Sequence, residues 1–170
     1  MAAVATGRAR MTADRRGPVH TLVDAHNLIH ADAGLRALAG DPAAARAALA
    51  RRLDGTARMH LVCDGGPGGI ARTVLQGTVI MVYSGTASAD DAIVRWLRER
   101  ADARAVVVSD DRELIARARS LGAREVRCRL FLRGLQARGE AANDPRRGPP
   151  PAHEVEMWMK TFGIEDEEAR

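Results

Sequence analysis

The segment Ala105-Val-Val-Val-Ser109 is the most strand-like stretch of the sequence, and it runs directly into two acids, Asp110 and Asp111. A short continuous apolar run of this kind predicts a strand that is buried on both faces of a sheet. The following residues place Leu114 and Ile115 on one face of a predicted helix. A strand that is followed by an acidic residue and then by a helix is typical of a parallel sheet that helices cover.

Further segments on both sides of this stretch continue the pattern. Apolar runs at 20–24 and 59–64 each end at an aspartate, and 78–83 is a third run. Helices are predicted after Asp41-Pro42, which supply an N-cap and a first helical residue, and after Ser88. A last short strand is predicted at 125–128, and a helix at 131–135. The alternation predicts a three-layer α/β/α domain over residues 19–140, with a central, mainly parallel sheet.

Four carboxylates are predicted to meet at one edge of this sheet. Asp24, Asp64 and Asp110 each lie at the carboxyl end of a predicted strand, and Asp90 lies in the first turn of a predicted helix. Ligands of such sheets bind beyond the carboxyl ends of the strands. Clustered carboxylates either take up protons or bind a cation, and aspartate oxygens suit Mg²⁺ or Mn²⁺. The alternative for each single aspartate is helix capping. Their presence on one edge favours metal, and phosphodiester hydrolysis is the reaction that this set best serves.

Two of these acids have an acidic neighbour that needs a separate assignment. Asp90 and Asp91 point about 100° apart in a helix, so both cannot face the pocket equally. The spacing from Ser88 favours Asp91 as the partner of that cap, which leaves Asp90 for the site. Asp111 is likewise predicted to cap the helix that follows it. The glycine-rich segment 65–69 lacks a complete phosphate-loop motif, which favours a flexible turn over a nucleotide site.

Four motifs in this order resemble those of the YacP-like group of NYN domains, within the PIN nuclease superfamily. The first strand resembles the opening "L-V-D-G-x-N" of that group, and the second resembles its "V-F-D-G". The third and fourth resemble "T-A-D-x-x-I" and "V-x-S-D-R-x-L". The residues that carry the resemblance are Leu22-Val-Asp24-Ala-His-Asn27, Leu61-Val-Cys-Asp64-Gly, Ser88-Ala-Asp90-Asp-Ala-Ile93 and Val107-Val-Ser-Asp110-Asp-Arg112-Glu-Leu.

The resemblance implies a metal-dependent endoribonuclease that acts on single-stranded RNA or mRNA, with the ribosome as a further candidate partner. Asp24 and Asp90 would be the catalytic residues and leading ligands of Mg²⁺ or Mn²⁺, Asp110 would be a third ligand, and Asp64 would line the pocket. Asn27 would orient a ligand or a water. The other residues expected at the pocket or the substrate are His26, Ser109 and Arg112, and the alternative for His26 is a loop histidine with neither role.

A second class of function stays open, namely a catalytically weak PIN-like module that binds RNA or the ribosome. The presence of all four acids favours the nuclease. The formal charge of +4 suits a polyanionic partner but is weak support for one.

Composition predicts a cytoplasmic protein that does not enter a membrane. No apolar run approaches the ~20 residues that span a bilayer, and residues 1–18 lack the apolar core of a secretory signal. Cys63 and Cys128 lie far apart, which predicts two buried free thiols in a reducing compartment. The sequence leaves the oligomeric state open.

The predicted domain is flanked by segments of other character. Residues 1–18 are predicted to be a disordered tail, and 141–152 a Pro/Arg-rich linker. In 153–170 an amphipathic helix is predicted, followed by an acidic tail. Its apolar residues, spaced i, i+3, i+4 and i+7, are Val155, Trp158, Met159 and Phe162.

Overall fold

The computed structural model describes residues 18–143, with side chains as far as 139. The N-terminal tail up to residue 17 and the segments predicted over 144–170 lie outside the described residues. The elements, in chain order, are β1 (Val19–Asp24), α1 (Ala25–Ala31), α2 (Ala33–Arg36), α3 (Pro42–Leu53), β2 (Met59–Cys63), a 3₁₀ turn (Pro67–Gly69), β3 (Arg72–Gln76), β4 (Val79–Tyr83), α4 (Ala89–Glu99), β5 (Arg104–Val108), α5 (Arg112–Ser120), β6 (Arg124–Val126) and α6 (Cys128–Asn143).

The strands form one six-stranded sheet in the order β3-β4-β2-β1-β5-β6, and this confirms the predicted α/β class. Every neighbouring pair is parallel except β3 and β4, which are antiparallel. β1 and β2 occupy the centre, with Val23 opposite Leu61. The carboxyl ends of β1, β2 and β5 therefore lie side by side, which is the arrangement that a shared pocket requires.

Two apolar clusters cover the two faces of the sheet and give the three layers. Val23 and Leu61 pack on the side of α1, α3 and α6. Leu22 and Val62 pack on the opposite side, against α4 and α5. Neighbouring residues of a strand thus serve opposite faces, as the pleat requires, and this explains why the strands read as continuous apolar runs.

The predicted helix starts at Asp41, Ser88 and Asp111 are confirmed. Asp41 accepts hydrogen bonds from the backbone amides of Ala43 and Ala44, and Ser88 accepts one from the amide of Asp91. Asp111 accepts hydrogen bonds from the amides of Glu113 and Leu114 at 2.7 and 2.9 Å. These side chains satisfy backbone donors that have no partner within the helix.

Several elements differ from the sequence prediction. The edge strand β3 was not predicted, because all five of its residues are exposed and give no buried pattern. α1 was not predicted either, and it places His26 in a helix rather than a loop. β6 ends at Val126, and Cys128 begins α6 instead of closing a strand. α6 spans Cys128–Asn143, so it begins before and ends after the segment 131–135 that was predicted to be helical.

Both cysteines are buried and free, as predicted. Burial raises the pKa of the Cys63 thiol and that of the Cys128 thiol to about 12, so both stay protonated near neutral pH. No helix of the described segment is long and apolar enough to cross a membrane.

We expect Gly77→Ala to lower the free energy of unfolding by about 2 kcal/mol. Gly77 joins β3 to β4 with a φ of 60°, and an added Cβ would collide with the carboxylate of Asp54. That carboxylate accepts two hydrogen bonds from Thr78 and one from the amide of Gly55. Urea denaturation measures the change.

Gly40→Ala is the matched control, because a Cβ at Gly40 meets no atom within 4 Å. Its effect should stay within about 0.5 kcal/mol. Equal losses from the two substitutions would show that the hairpin turn has no special requirement for glycine.

Candidate active site

Asp24 is the buried centre of the acidic edge. Its side chain, only 2% exposed, follows the last hydrophobic residues of β1 and reaches the start of α1. Oδ1 accepts a hydrogen bond from the amide of Asn27 at 3.1 Å. Oδ2 accepts from Asn27 Nδ2 at 2.6 Å and from Ser109 Oγ at 2.9 Å. Three donors therefore hold a buried carboxylate in one orientation, and these bonds offset part of its desolvation.

Asn27 and Ser109 act on this carboxylate as positioning residues. The sequence predicted that Asn27 orients a ligand or a water, and in the structure it orients Asp24. Ser109 is fully buried, and its hydroxyl also accepts a hydrogen bond from the amide of Asp111 at 3.1 Å. The side chain of Ser109 thus links the carboxyl ends of β1 and β5.

Asp64 joins β2 to the next helix. It follows β2 directly, and its Oδ1 accepts a hydrogen bond of 2.7 Å from the amide of Ala89, the first residue of α4. This contact fixes the beginning of α4 against the end of β2. Asp90, the next residue of the helix, is thereby placed at the same edge of the sheet.

Asp90 carries the clearest electrostatic signature of the site. Burial and then the negative charges of Asp24, Asp111 and Asp64 raise the pKa of this half-buried carboxyl to about 6. Arg117 opposes the shift only in part. Like charges disfavour ionisation only at short range, so the contributions of Asp24, Asp111 and Asp64 mean that these acids lie near Asp90.

Of the two acids after β5, Asp111 is the one whose negative charge is among those that raise the pKa of Asp90. The Oδ1 atom of Asp110 accepts a hydrogen bond from the amide of Cys128 at 3.2 Å, and its carbonyl oxygen accepts one from Arg127. Asp110 is not among the residues that shift the pKa of Asp90, whereas Asp111 is. Asp111 also caps α5, as predicted, so one carboxylate serves the helix and the pocket.

Asp91 points away from the pocket, as the helix geometry predicts. It forms an exposed ion pair of 2.7 Å with Arg117 on α5. Hydrogen bonds from Arg117 and Ser88 hold the pKa of Asp91 below its usual range. Two adjacent acids of α4 thus have opposite pKa shifts, because Asp90 is partly buried near other carboxylates and Asp91 is exposed beside a guanidinium.

Two predicted residues remain, His26 and Arg112. His26 is exposed on α1, with its ring centroid 4.4 Å from that of His30. Arg112 is exposed in the first turn of α5, and in the described chain it makes no hydrogen bond to the acidic residues. Arg46 of α3, which no motif indicated, lies with His26 and Asp64 around a cleft at this edge.

The acids fit a hard divalent cation in donor type and in charge. We expected Asp24, Asp90 and Asp110 to share one cation, but in residues 18–139 no three acidic, histidine or cysteine side chains stand close enough to hold a metal ion. Mg²⁺ usually keeps several waters and takes one or two carboxylates together with substrate phosphates. The negative charge that raises the pKa of Asp90 would favour such an ion.

The fold is similar to that of Rae1 (YacP) from Bacillus subtilis. One solved structure of that protein has a TM-score of 0.58 and 19% identity, and the match covers 85% of this chain and 92% of that chain. A mutant of the same protein has a TM-score of 0.54 and 17% identity, covering 89% of this chain and 87% of that one. No protein-family model matches the sequence, and no curated protein sequence matches it. The chain thus has a YacP-like NYN-type fold, and identity this low shows the fold alone.

We expect Asp90→Asn to stabilise the protein at pH 7 in the absence of divalent ions. In the unfolded chain this carboxyl loses its proton near 3.8, and in the folded chain near 6. The wild type therefore loses relative stability as the pH rises from 3.8 to 6, and the loss is complete above 6. The gain from Asn should be on the order of 1 kcal/mol, because partial exposure screens the charges.

Urea denaturation of both proteins between pH 4.5 and 7.5 tests this expectation. The difference between them cancels other titrating groups, such as His60, whose pKa burial lowers to about 4. Asp91→Asn is the control and should gain no stability, because it removes an ion pair. A loss of stability from Asp90→Asn at pH 7 would mean that the carboxylate is structural.

Proposed function

We propose that this protein is a metal-dependent endoribonuclease that hydrolyses phosphodiester bonds of single-stranded RNA or mRNA. The observation that carries the proposal is the raised pKa of Asp90, caused by burial and by the acids Asp24, Asp111 and Asp64. Perturbed acids in a cleft are characteristic of functional sites. This pocket also lies where open α/β sheets bind their ligands.

Asp24 and Asp90 are the proposed catalytic residues, and they would hold Mg²⁺ or Mn²⁺. Such an ion, when bound, lowers the pKa of a water and stabilises charge on a phosphoryl oxygen. Asn27 and Ser109 keep the Asp24 carboxylate in place before substrate arrives. Because the pocket is negative, it would repel a phosphodiester unless a cation lay between them. The negative charge of these acids, which together with burial raises the pKa of Asp90, therefore makes binding of the scissile phosphate depend on metal, whereas neighbouring nucleotides can bind without it.

Motifs and fold support the same proposal independently of electrostatics. The four motifs resemble those of YacP-like NYN domains, and the fold is similar to that of Rae1 (YacP). The resemblance to the YacP-like group also makes mRNA on the ribosome a candidate substrate. Assays with ribosomes therefore belong beside assays with free RNA.

A catalytically weak RNA- or ribosome-binding module is the second candidate. The specific observation in its favour is that the described residues contain no group of three His, Cys, Asp or Glu side chains placed to hold a metal ion. Such a module would keep the fold and bind RNA without turnover.

We expect Asp24→Asn and Asp90→Asn each to lower the rate of RNA cleavage by roughly 100-fold or more. Asn keeps the shape of the side chain but lacks the charge that holds a divalent ion. Asp91→Asn should retain most of the activity, because Asp91 faces Arg117 instead of the pocket. The measurement is cleavage of labelled single-stranded and structured RNA with Mg²⁺, Mn²⁺ or EDTA.

Equal losses from Asp90→Asn and Asp91→Asn would refute the assignment of roles on α4. If the wild type cleaves no RNA with either metal, even when ribosomes are supplied, the binding module replaces the nuclease as the conclusion.

A further prediction separates the two acids after β5. Asp111→Asn should lower cleavage at least tenfold more than Asp110→Asn, because only Asp111 adds negative charge around Asp90. Asn at 111 can still accept the capping hydrogen bonds, so the start of α5 should be retained. Circular dichroism checks the fold of both variants. A larger loss from Asp110→Asn would restore Asp110 as the third acid.

A further inference from the structure

A cleft of about 210 Å³ lies between α1 and α3, next to the acidic pocket. Asp64 borders both, since its side chain lines the cleft and its charge contributes to the raised pKa of Asp90. The cleft walls include apolar side chains, among them Ile29, Pro42 and Ala45. The cleft therefore continues the acidic pocket as a groove with one charged end and apolar sides.

Arg46 supplies positive charge to this groove. Its half-buried side chain lines the cleft, and its guanidinium carbon lies 5.9 Å from the centroid of the Tyr83 ring. The Nε atom is buried and has no hydrogen-bond partner in the described part of the chain. A buried donor without a partner is costly. Its positive charge at the cleft nevertheless suits the Arg46 guanidinium to an anionic ligand such as a phosphate.

Two imidazole rings stand at the same cleft. His26 and His30 are exposed one turn apart on α1, with their ring centroids 4.4 Å apart. α1 begins immediately after Asp24, so the helix that carries both rings starts at the acidic pocket. Histidine rings are among the side chains on which unstacked RNA bases stack. The cleft thus combines a phosphate-binding group with surfaces for a base and a ribose.

We infer that this cleft binds one nucleotide of single-stranded RNA next to the phosphodiester bond at the acidic pocket, with Arg46 on its phosphate and the rings of His26 and His30 against its base. The inference rests on the proposed function, because the position of the nucleotide is defined relative to cleavage. A duplex keeps its bases stacked and paired, so it cannot present one to the cleft.

Equilibrium binding without metal tests the inference. We would measure the fluorescence anisotropy of a labelled single-stranded RNA oligonucleotide with the full chain in EDTA. Arg46→Gln should raise Kd about tenfold. It should also lower the slope of log Kd against log salt by about 0.7, the value for one phosphate contact with a single strand. Arg51→Gln is the matched control, because Arg51 is exposed on the same helix outside the cleft. Its Kd should stay within about twofold of the wild type.

A second variant, on α1, keeps the inference testable if Arg46→Gln disturbs the fold of α3. His30→Ala changes an exposed residue of α1 and should raise Kd about fivefold through lost stacking. Circular dichroism and thermal melting check that each variant folds. The same Kd for Arg46→Gln, His30→Ala and Arg51→Gln would overturn the inference, and so would an equal effect of Arg46→Gln on duplex RNA.

Cleavage assays keep this outcome separate from that of the proposed function. Binding that depends on Arg46 without cleavage by the wild type would support the cleft and refute the nuclease. Metal-dependent cleavage with unchanged binding by Arg46→Gln would support the nuclease and refute the cleft.

Discussion

The negative charge that gathers around Asp90 is the constraint to which the rest of the site responds. Three neighbouring acids each accept backbone hydrogen bonds at the beginning of a helix: Asp24 at α1, Asp64 at α4 and Asp111 at α5. Helix N-termini stabilise negative charge through their amides and their dipoles. The carboxylate of Asp90 accepts no hydrogen bond within the described residues, and burial together with the neighbouring charges raises its pKa to about 6. Among these acids, the repulsion therefore disfavours ionisation most at Asp90, the one carboxyl that has no hydrogen-bond donors of its own.

In this protein the same aspartates cap helices and form the acidic site. Each of them, taken singly, could have been assigned only one of these two roles. The carboxyl ends of parallel strands and the amino ends of the following helices meet at the same edge of the sheet. An aspartate at that junction can cap a helix with one oxygen and face the pocket with the other. Asp64 illustrates this, since Oδ1 accepts from Ala89 while its charge helps raise the pKa of Asp90. The fold thus concentrates carboxylates where a cation and a phosphodiester would meet.

Sequence patterns predicted the central strands and the helix starts, because these depend on local rules. β1, β2 and β5 are buried on both faces and read as apolar runs, and Asp41, Ser88 and Asp111 are caps within their own segments. β3 was not predicted because its strand conformation depends on pairing with β4 and not on burial, so its sequence shows no buried pattern.

Within the site, motifs indicated Asp24, Asp64, Asp90 and Asp110, and Asp111 was predicted only as a helix cap. Which of Asp110 and Asp111 acts on Asp90 depends on the turn after β5, where Ser109 accepts a hydrogen bond from the amide of Asp111 while Asp110 accepts one from the amide of Cys128. Arg46 was missed because no motif marks it, and its place at the cleft arises only when α1 packs beside α3. The one measurement that tests the central claim most directly is an NMR titration of the Asp90 carboxyl, with and without Mg²⁺. The account predicts a pKa of about 6 without the ion and a marked fall when Mg²⁺ is added. A pKa near the ordinary 3.8 that Mg²⁺ does not move would contradict it.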